Sequence, residues 1–140
     1  MSHAGLESLQ VSARILAAQS AFPLLEKEIE RTTGQVAGLK VWLLETPSAD
    51  NSWALGVELT LTNGGQSCSP VGWGPDVQSA LVGIADFAME WVSEAIGWPW
   101  PTCPEDNYGL DPELVDGRAV WRCRSARHEV VAAIGELGLV

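Results

Sequence analysis

Apolar residues recur at helical spacing in two long stretches of this 140-residue chain, and each stretch predicts a helix. The first is predicted over residues 6–32, with an apolar stripe that begins with Leu6, Leu9, Ala13, Leu16 and Ala17. Pro23 lies inside this stretch, and we expect it to kink or restart the helix, with Ser20 as a cap. The second is predicted over residues 76–96, with a buried face made of Val77, Leu81, Ile84, Ala88, Trp91, Val92 and Ala95.

Three shorter segments between the helices have the patterns of β-strands. Residues 36–45 are largely apolar on both faces, so this strand is expected to be central or covered on both sides. Residues 53–62 alternate regularly and predict a half-buried antiparallel strand, whose inward residues are Trp53, Leu55, Val57, Leu59 and Leu61. Pro70 confines the third strand, residues 66–73, to a sheet edge, and Cys68 within it is interpreted as a small core residue.

A connector rich in tryptophan and proline follows the second helix. Gly97 ends that helix, and Trp98-Pro99-Trp100-Pro101 predicts a stiff, extended segment. Residues 118–124 and 129–134 then predict a hairpin that places Trp121 on its apolar face.

The order α-β-β-β-α-β-β indicates an α+β fold, in which two helices cover a small antiparallel sheet and the hairpin forms a C-terminal module. We expect one domain over residues 1–140. Within it, residues 1–97 are predicted to form the α-β-β-β-α core, and residues 98–140 the hairpin module.

Composition favours a folded, cytoplasmic protein. A chain with 46% hydrophobic and 19% charged residues has the composition of a globular domain rather than of a disordered one. No apolar run approaches the roughly 18 residues that cross a bilayer, and the first residues lack the basic start and apolar core of a signal peptide. Three cysteines, an odd number, argue against a disulfide framework and for a reducing compartment.

The formal net charge of −10 excludes two classes of partner. Counterion release cannot drive nucleic-acid binding by such a surface, and an anionic membrane would repel it. The charge is also unevenly placed, because residues 102–117 hold five acids and no base, whereas residues 118–128 hold four arginines and no acid. The arginines either neutralise the adjacent acidic loop or form a contact patch for an anionic ligand or partner.

Two cysteines framed by tryptophans have the arrangement of the two knuckles of a zinc ribbon. Cys103 and Cys123 are 20 residues apart, and His128 lies five residues after Cys123 as a candidate third ligand. Asp106 occupies the place of a fourth ligand, although structural zinc sites rarely use carboxylate. The alternatives are two buried thiols packed around Trp121, or a disulfide or redox pair.

A resemblance is carried by the segment Trp98-Pro99, Cys103-Pro104, residues 114–123 (Leu-Val-Asp-Gly-Arg-Ala-Val-Trp-Arg-Cys) and residues 134–137 (Ile-Gly-Glu-Leu). This segment resembles the C-terminus of a group of small uncharacterised bacterial proteins. In that group a Cys-Pro-x-His knuckle precedes a Trp-x-Cys-Pro knuckle, so the resemblance implies a degenerate zinc-ribbon-like module. The chain has Asp106 in place of the histidine and Arg124 in place of the proline, and we therefore expect no bound cofactor.

Catalytic constellations are weak in this sequence. His3 and His128 are its two histidines, and a Cys–His pair would have to use His128, which lies in a predicted hairpin turn. Three acids spaced four residues apart, Asp86, Glu90 and Glu94, resemble an acid–base or metal site, but no Glu-x-x-His motif completes a di-metal set. We predict no catalytic residue and interpret these acids as an exposed helix face.

The leading hypothesis is therefore a non-catalytic cytoplasmic protein that binds another protein with a basic surface, as an immunity protein, inhibitor or adaptor does. Exposed tryptophan suits such a role. The predicted contact residues are Asp86, Glu90, Glu94, Trp98 and Trp100, with Arg122 and Arg124 as a competing face. The alternatives are a small zinc-binding structural or regulatory module, and an enzyme with an unrecognised site.

Overall fold

The computed structural model describes residues 3–43, 55–105, 107–125 and 130–139. Its elements are α1 (His3–Thr33), β1 (Ala37–Leu43), β2 (Leu55–Leu61), β3 (Gln66–Pro70), α2 (Val77–Ile96), β4 (Leu110–Val115), β5 (Arg118–Cys123) and β6 (Val130–Ala133). The α+β class and the order of the predicted elements are confirmed. The structure adds β4, and the strands form two antiparallel sheets, β1-β2-β3 (the first sheet) and β4-β5-β6 (the second sheet).

The first sheet has β2 at its centre. Four of the five inward residues predicted for β2 are buried: Leu55, Val57, Leu59 and Leu61. The fifth, Trp53, lies outside the described residues. The prediction for β1 was wrong, because this strand lies at an edge and Trp42 on its outer face is about half exposed. The predicted edge position of β3 is confirmed, but Cys68 is exposed rather than part of the core.

Helix α1 runs unbroken from His3 to Thr33, so the helix does not restart at Pro23 and Ser20 is not a cap. Because proline has no N–H, Pro23 leaves the Gln19 carbonyl without its usual helical hydrogen bond. Both residues lie on the exposed side of the helix, where water can bind that carbonyl. The opposite side is fully buried before and after the proline, at Ala18 and Leu25. Because the buried side packs into the core both before and after Pro23, the two halves stay in one helix. Leu16, predicted to be buried, is 64% exposed.

Helix α2 begins and ends as its sequence predicts. The Asp76 side chain caps it by accepting a hydrogen bond from the Ser79 N–H, at 3.1 Å. Gly97 ends it in the left-handed region (φ 70°), and the N–H groups of Gly97 and Trp98 both donate to the Ser93 carbonyl. The buried residues of the helix are Ala80, Leu81, Ile84, Ala85, Phe87, Ala88 and Val92.

Glu28 of α1 is fully buried and binds three N–H groups of the C-terminal half. Its Oε1 accepts from the Trp121 indole at 2.9 Å, and its Oε2 accepts from the backbone N–H groups of Gly135 at 2.7 Å and Leu137 at 2.8 Å. Arg31, one turn later, donates to the carbonyl oxygens of the same Gly135 and Leu137, at 2.8 and 2.7 Å. We call Glu28 and Arg31 the α1 clamp, because together they bind the backbone N–H and C=O groups of both Gly135 and Leu137.

The connector is held against the same turn of α1. Trp100 donates its indole N–H to Thr32 Oγ1 at 2.9 Å, and its ring meets that of Trp121 edge to face with centroids 5.8 Å apart. The buried residues accordingly form one cluster that extends from Ala17 of α1 to Leu137. Both sheets and both helices share this core.

Trp121→Ala removes the largest fully buried side chain among the described residues and one donor to Glu28. We expect it to lower the free energy of unfolding by about 3–5 kcal/mol, measured by denaturant titration. Trp121→Phe keeps an aromatic ring but leaves Glu28 Oε1 without the indole donor, and the expected loss is about 1–3 kcal/mol. A loss below about 1 kcal/mol for Trp121→Ala would contradict the buried position of this ring.

Candidate functional site

The exposed face of α2 carries three carboxylates, Asp86, Glu90 and Glu94, which we call the acidic ridge. All three are exposed, as predicted from their spacing. In the part of the chain that the structure describes, none of them forms a salt bridge. The ridge therefore presents negative charge to solvent along two turns of helix.

The surroundings of α2 fix the direction in which the ridge points. A Cβ on Gly83 would collide with the Gly72 carbonyl oxygen, so the helix lies directly against the chain that follows β3. In that segment Trp73 is buried and donates its indole N–H to the Arg14 carbonyl oxygen of α1, at 2.8 Å. The segment is thus tied to α1 and packed against α2, which keeps the inner face of α2 on the core and the ridge outward.

The two tryptophans of the connector differ in exposure. Trp98, next to the C-cap of α2, is 65% exposed, whereas Trp100 is only 6% exposed. Trp98 therefore has the exposure expected of a contact residue. Trp100, which was predicted to share that role, instead packs on Trp121 and donates to Thr32.

Arg122 of β5 and Arg124, which follows the end of β5, are paired with acids of β4. Arg122 Nε lies 2.6 Å from Glu113 Oε2, and Arg124 Nη2 lies 2.8 Å from Asp111 Oδ1. The hydrogen bond to Asp111 is the main reason that the pKa of Arg124 is raised, and the charge of Asp86 adds to it. The interpretation that arginines neutralise the neighbouring acids is confirmed for these two pairs.

A groove of about 290 Å³ separates α2 from the second sheet and the connector. Asp86 and Glu90 line one side, and Trp100 and Arg124 line the other. The structure thus brings together four of the seven predicted contact residues. Glu94 and Trp98 lie further along, toward the C-terminal end of α2, and Arg122 does not line this groove.

The two cysteines of the ribbon-like module are buried, Cys103 in the segment before β4 and Cys123 at the end of β5. The Cys123 Sγ lies 3.3 Å from Ser125 Oγ, and no cysteine forms a disulfide. The other two candidate ligands, Asp106 and His128, lie outside the described residues. Among the residues that are described, no group of three histidines, cysteines or acids could hold a metal ion, and the zinc hypothesis remains a prediction.

Glu28 is the residue that the sequence analysis missed. It is the one buried charged residue of the described ranges, and burial raises the pKa of its carboxyl despite the hydrogen bonds from Leu137, Trp121 and Gly135. Its position was readable in principle, because it lies three residues after Leu25 and next to Ile29, within the apolar stripe of α1. Its contacts are structural, since they run to the Trp121 indole and to the main chain.

Comparisons with protein-family models, with curated proteins and with solved structures find no match to this chain. Neither of the described helices is long and apolar enough to cross a membrane.

Cysteine reactivity tests this placement of the thiols. Because Cys68 is exposed while Cys103 and Cys123 are buried, we expect one fast-reacting thiol in the native protein and three after denaturation, counted with a thiol-specific reagent. Treatment with a chelator should leave the native count at one, and elemental analysis should find no stoichiometric zinc. Release of about one zinc per chain, with two more thiols becoming reactive, would contradict this and support the zinc hypothesis.

Proposed function

We propose that this protein binds another protein through the acidic ridge of α2 and that the partner presents a basic surface. The observation that carries the proposal is the contrast between two sets of acids. Asp111 and Glu113 are paired with Arg124 and Arg122, whereas the exposed carboxylates of the ridge form no salt bridge with any described residue. The charge of the ridge is thus left to act on a partner.

The spacing of the ridge strengthens its field. Residues four apart on a helix are separated by about 6 Å along the axis. This is shorter than the screening length of about 8 Å at physiological ionic strength, so the potentials of neighbouring carboxylates add. Together with the net charge of −10, the ridge favours fast, electrostatically steered association with a basic protein.

Trp98 supplies the apolar part of the surface. Its indole is largely exposed and lies four residues beyond Glu94, at the end of the ridge. An exposed indole beside carboxylates is suited to a lysine or arginine side chain, which it contacts through its ring face while the carboxylates bind the charge. Tryptophan is also enriched among residues that dominate interface energies. We therefore include Trp98 in the surface, and a non-catalytic cytoplasmic inhibitor, immunity protein or adaptor is the type of protein proposed.

Neutralising the ridge tests the proposal. The partner is first isolated by co-purification from the native host and identified by mass spectrometry. The triple variant Asp86→Asn/Glu90→Gln/Glu94→Gln should then slow association by about tenfold at low salt, with a smaller effect on dissociation, because steering acts on the encounter. The difference from the unchanged protein should fade as salt rises. Association and dissociation rates are measured by surface plasmon resonance.

A matched control carries the same change of charge elsewhere. Glu105→Gln/Asp116→Asn/Glu136→Gln also neutralises two glutamates and one aspartate, all of them exposed and outside the ridge. This control should change the association rate much less than the ridge variant does. If the two triple variants slow association equally, the net charge of the protein and not the ridge itself attracts the partner. If binding weakens only when Arg122 and Arg124 are neutralised, the contact lies on the arginine face instead.

A further inference from the structure

Strand β3 offers an open edge. Leu61 donates its N–H to the Gly65 carbonyl, and Val71 donates its N–H to the Leu55 carbonyl, at 2.8 and 3.0 Å. In an antiparallel ladder such bonded positions alternate, so the odd-numbered residues from 65 to 71 direct their backbone groups toward β2. Gln66, Cys68 and Pro70 direct theirs to the other side, where no described strand pairs with them.

Two grooves run between this edge and α2. One, of about 200 Å³, is lined by the start of β3 together with Trp91 and Glu94. The other, of about 330 Å³, is lined by the end of β3 together with Trp91, Asp86 and Glu90. Because Trp91 lines both, the grooves adjoin at this side chain and together follow the length of β3.

The side chains of β3 keep the grooves open. Ser67 and Ser69 lie on the same face as their partners Leu59 and Val57, which are buried under the helices. Both serines are only partly buried and both line the grooves. Small side chains at these two positions leave space where larger ones would fill the gap between β3 and α2.

The opposite edge of the first sheet differs. On β1 the Leu39 N–H, which points away from β2, donates to the Glu26 carboxylate of α1 at 2.8 Å. A side chain of the protein itself thus occupies a position that an added strand would need. The β3 edge has no such cap at Gln66 or Cys68 among the described residues, and its helix wall carries the whole acidic ridge.

We propose that an extended, basic segment of the partner adds to β3 as a further strand and lies in the two grooves beneath the acidic ridge. This inference rests on the proposed function and specifies the form of the partner. Main-chain hydrogen bonds to Gln66, Cys68 and Pro70 would hold the segment, as in other cases of strand addition. Side chains alternate along a strand, so every second residue faces α2, and lysine or arginine at those positions meets the ridge.

Charge distinguishes this occupant from a second copy of the chain. Pairing of two β3 edges would bring together two molecules that each carry a net charge of −10, with their acidic ridges beside the shared edge. Like charges at such distances repel. A basic segment is attracted at the same place.

One substitution targets the open edge of β3 rather than its pairing with β2. Cys68→Pro removes an N–H that points away from β2 and places a proline ring on the open edge, while the β2–β3 ladder keeps its hydrogen bonds. Cys68→Ala is the matched control, because it changes the side chain and keeps the N–H. The probe is a short peptide in which lysine and valine alternate, and a second peptide of the same sequence is N-methylated along one edge.

We expect the alternating peptide to bind and to shift the amide NMR signals of Gln66 and Cys68 more than those of Ser67 and Ser69, which already bond to β2. Cys68→Pro and the ridge triple variant should each weaken binding by about tenfold or more, since one removes main-chain bonding and the other removes charge. Cys68→Ala should leave it unchanged. The N-methylated peptide should bind weakly to the unaltered protein, which tests the edge even if Cys68→Pro does not fold.

Three results would overturn strand addition. Binding that depends on the ridge but tolerates both Cys68→Pro and N-methylation would leave the proposed function standing and remove only the strand. Absence of peptide binding would also reject it, while the association rates of the native partner still decide the proposed function. A dimer of the free chain that Cys68→Pro dissociates, seen by analytical ultracentrifugation, would assign the edge to a second copy.

Discussion

The buried carboxylate of Glu28 is the interaction on which the arrangement of the two sheets depends. It lies on α1, yet its three hydrogen-bond donors all come from the C-terminal half of the chain. Burying a carboxylate is costly unless hydrogen bonds replace its hydration. This carboxylate is stable in the core only while Trp121, Gly135 and Leu137 are in place, and Arg31 reinforces the position by binding the carbonyl groups of the last two. The α1 clamp therefore favours one specific packing of the second sheet against α1, whereas apolar contacts alone would allow several.

This packing determines which face of α2 is available to a partner. The second sheet and the connector cover one side of α2, with Trp100 wedged between Thr32 and Trp121. The first sheet covers another side, where the small serines of β3 leave grooves. What remains exposed is the acidic ridge, bordered by Trp98 and by the open edge of β3. The surface proposed for binding is thus a consequence of how α1 holds the C-terminal half, although α1 contributes no residue to it.

Local patterns predicted the elements whose signals are local. Helix α2 was placed within one residue at its start because its cap, apolar face and terminal Gly97 all agree, and its exposed acids followed from the same spacing. Strand β4 was missed because Pro112 and two acids weaken its strand pattern, although Asp116-Gly117, with both residues at positive φ, closes a two-residue hairpin between β4 and β5 that is a local signal. The role of Glu28 was missed for a different reason. A charge within an apolar stripe shows that a partner must exist, but the partner lies more than 90 residues away. The burial of Trp100 and the β3 groove likewise depend on contacts between distant segments.

The pH dependence of stability in the Glu28→Gln variant tests the clamp most directly. Burial raises the pKa of Glu28 above its ordinary value of 4.5. The Glu28 carboxyl group therefore stays protonated in the folded state over a pH range in which it is ionised in the unfolded chain. The stability that this proton contributes is complete below that ordinary value and is lost as pH rises through the raised one. Glutamine does not titrate, and its amide group turns a donor toward at least one of the three N–H groups. Denaturant unfolding from pH 4.5 to 8 should show the variant less stable by about 1–3 kcal/mol at the acidic end, with the difference narrowing as pH rises. A difference that is absent would contradict the account in which the hydrogen bonds of Glu28 hold the C-terminal sheet in place. A difference that does not change with pH would contradict the raised pKa of this buried carboxyl group.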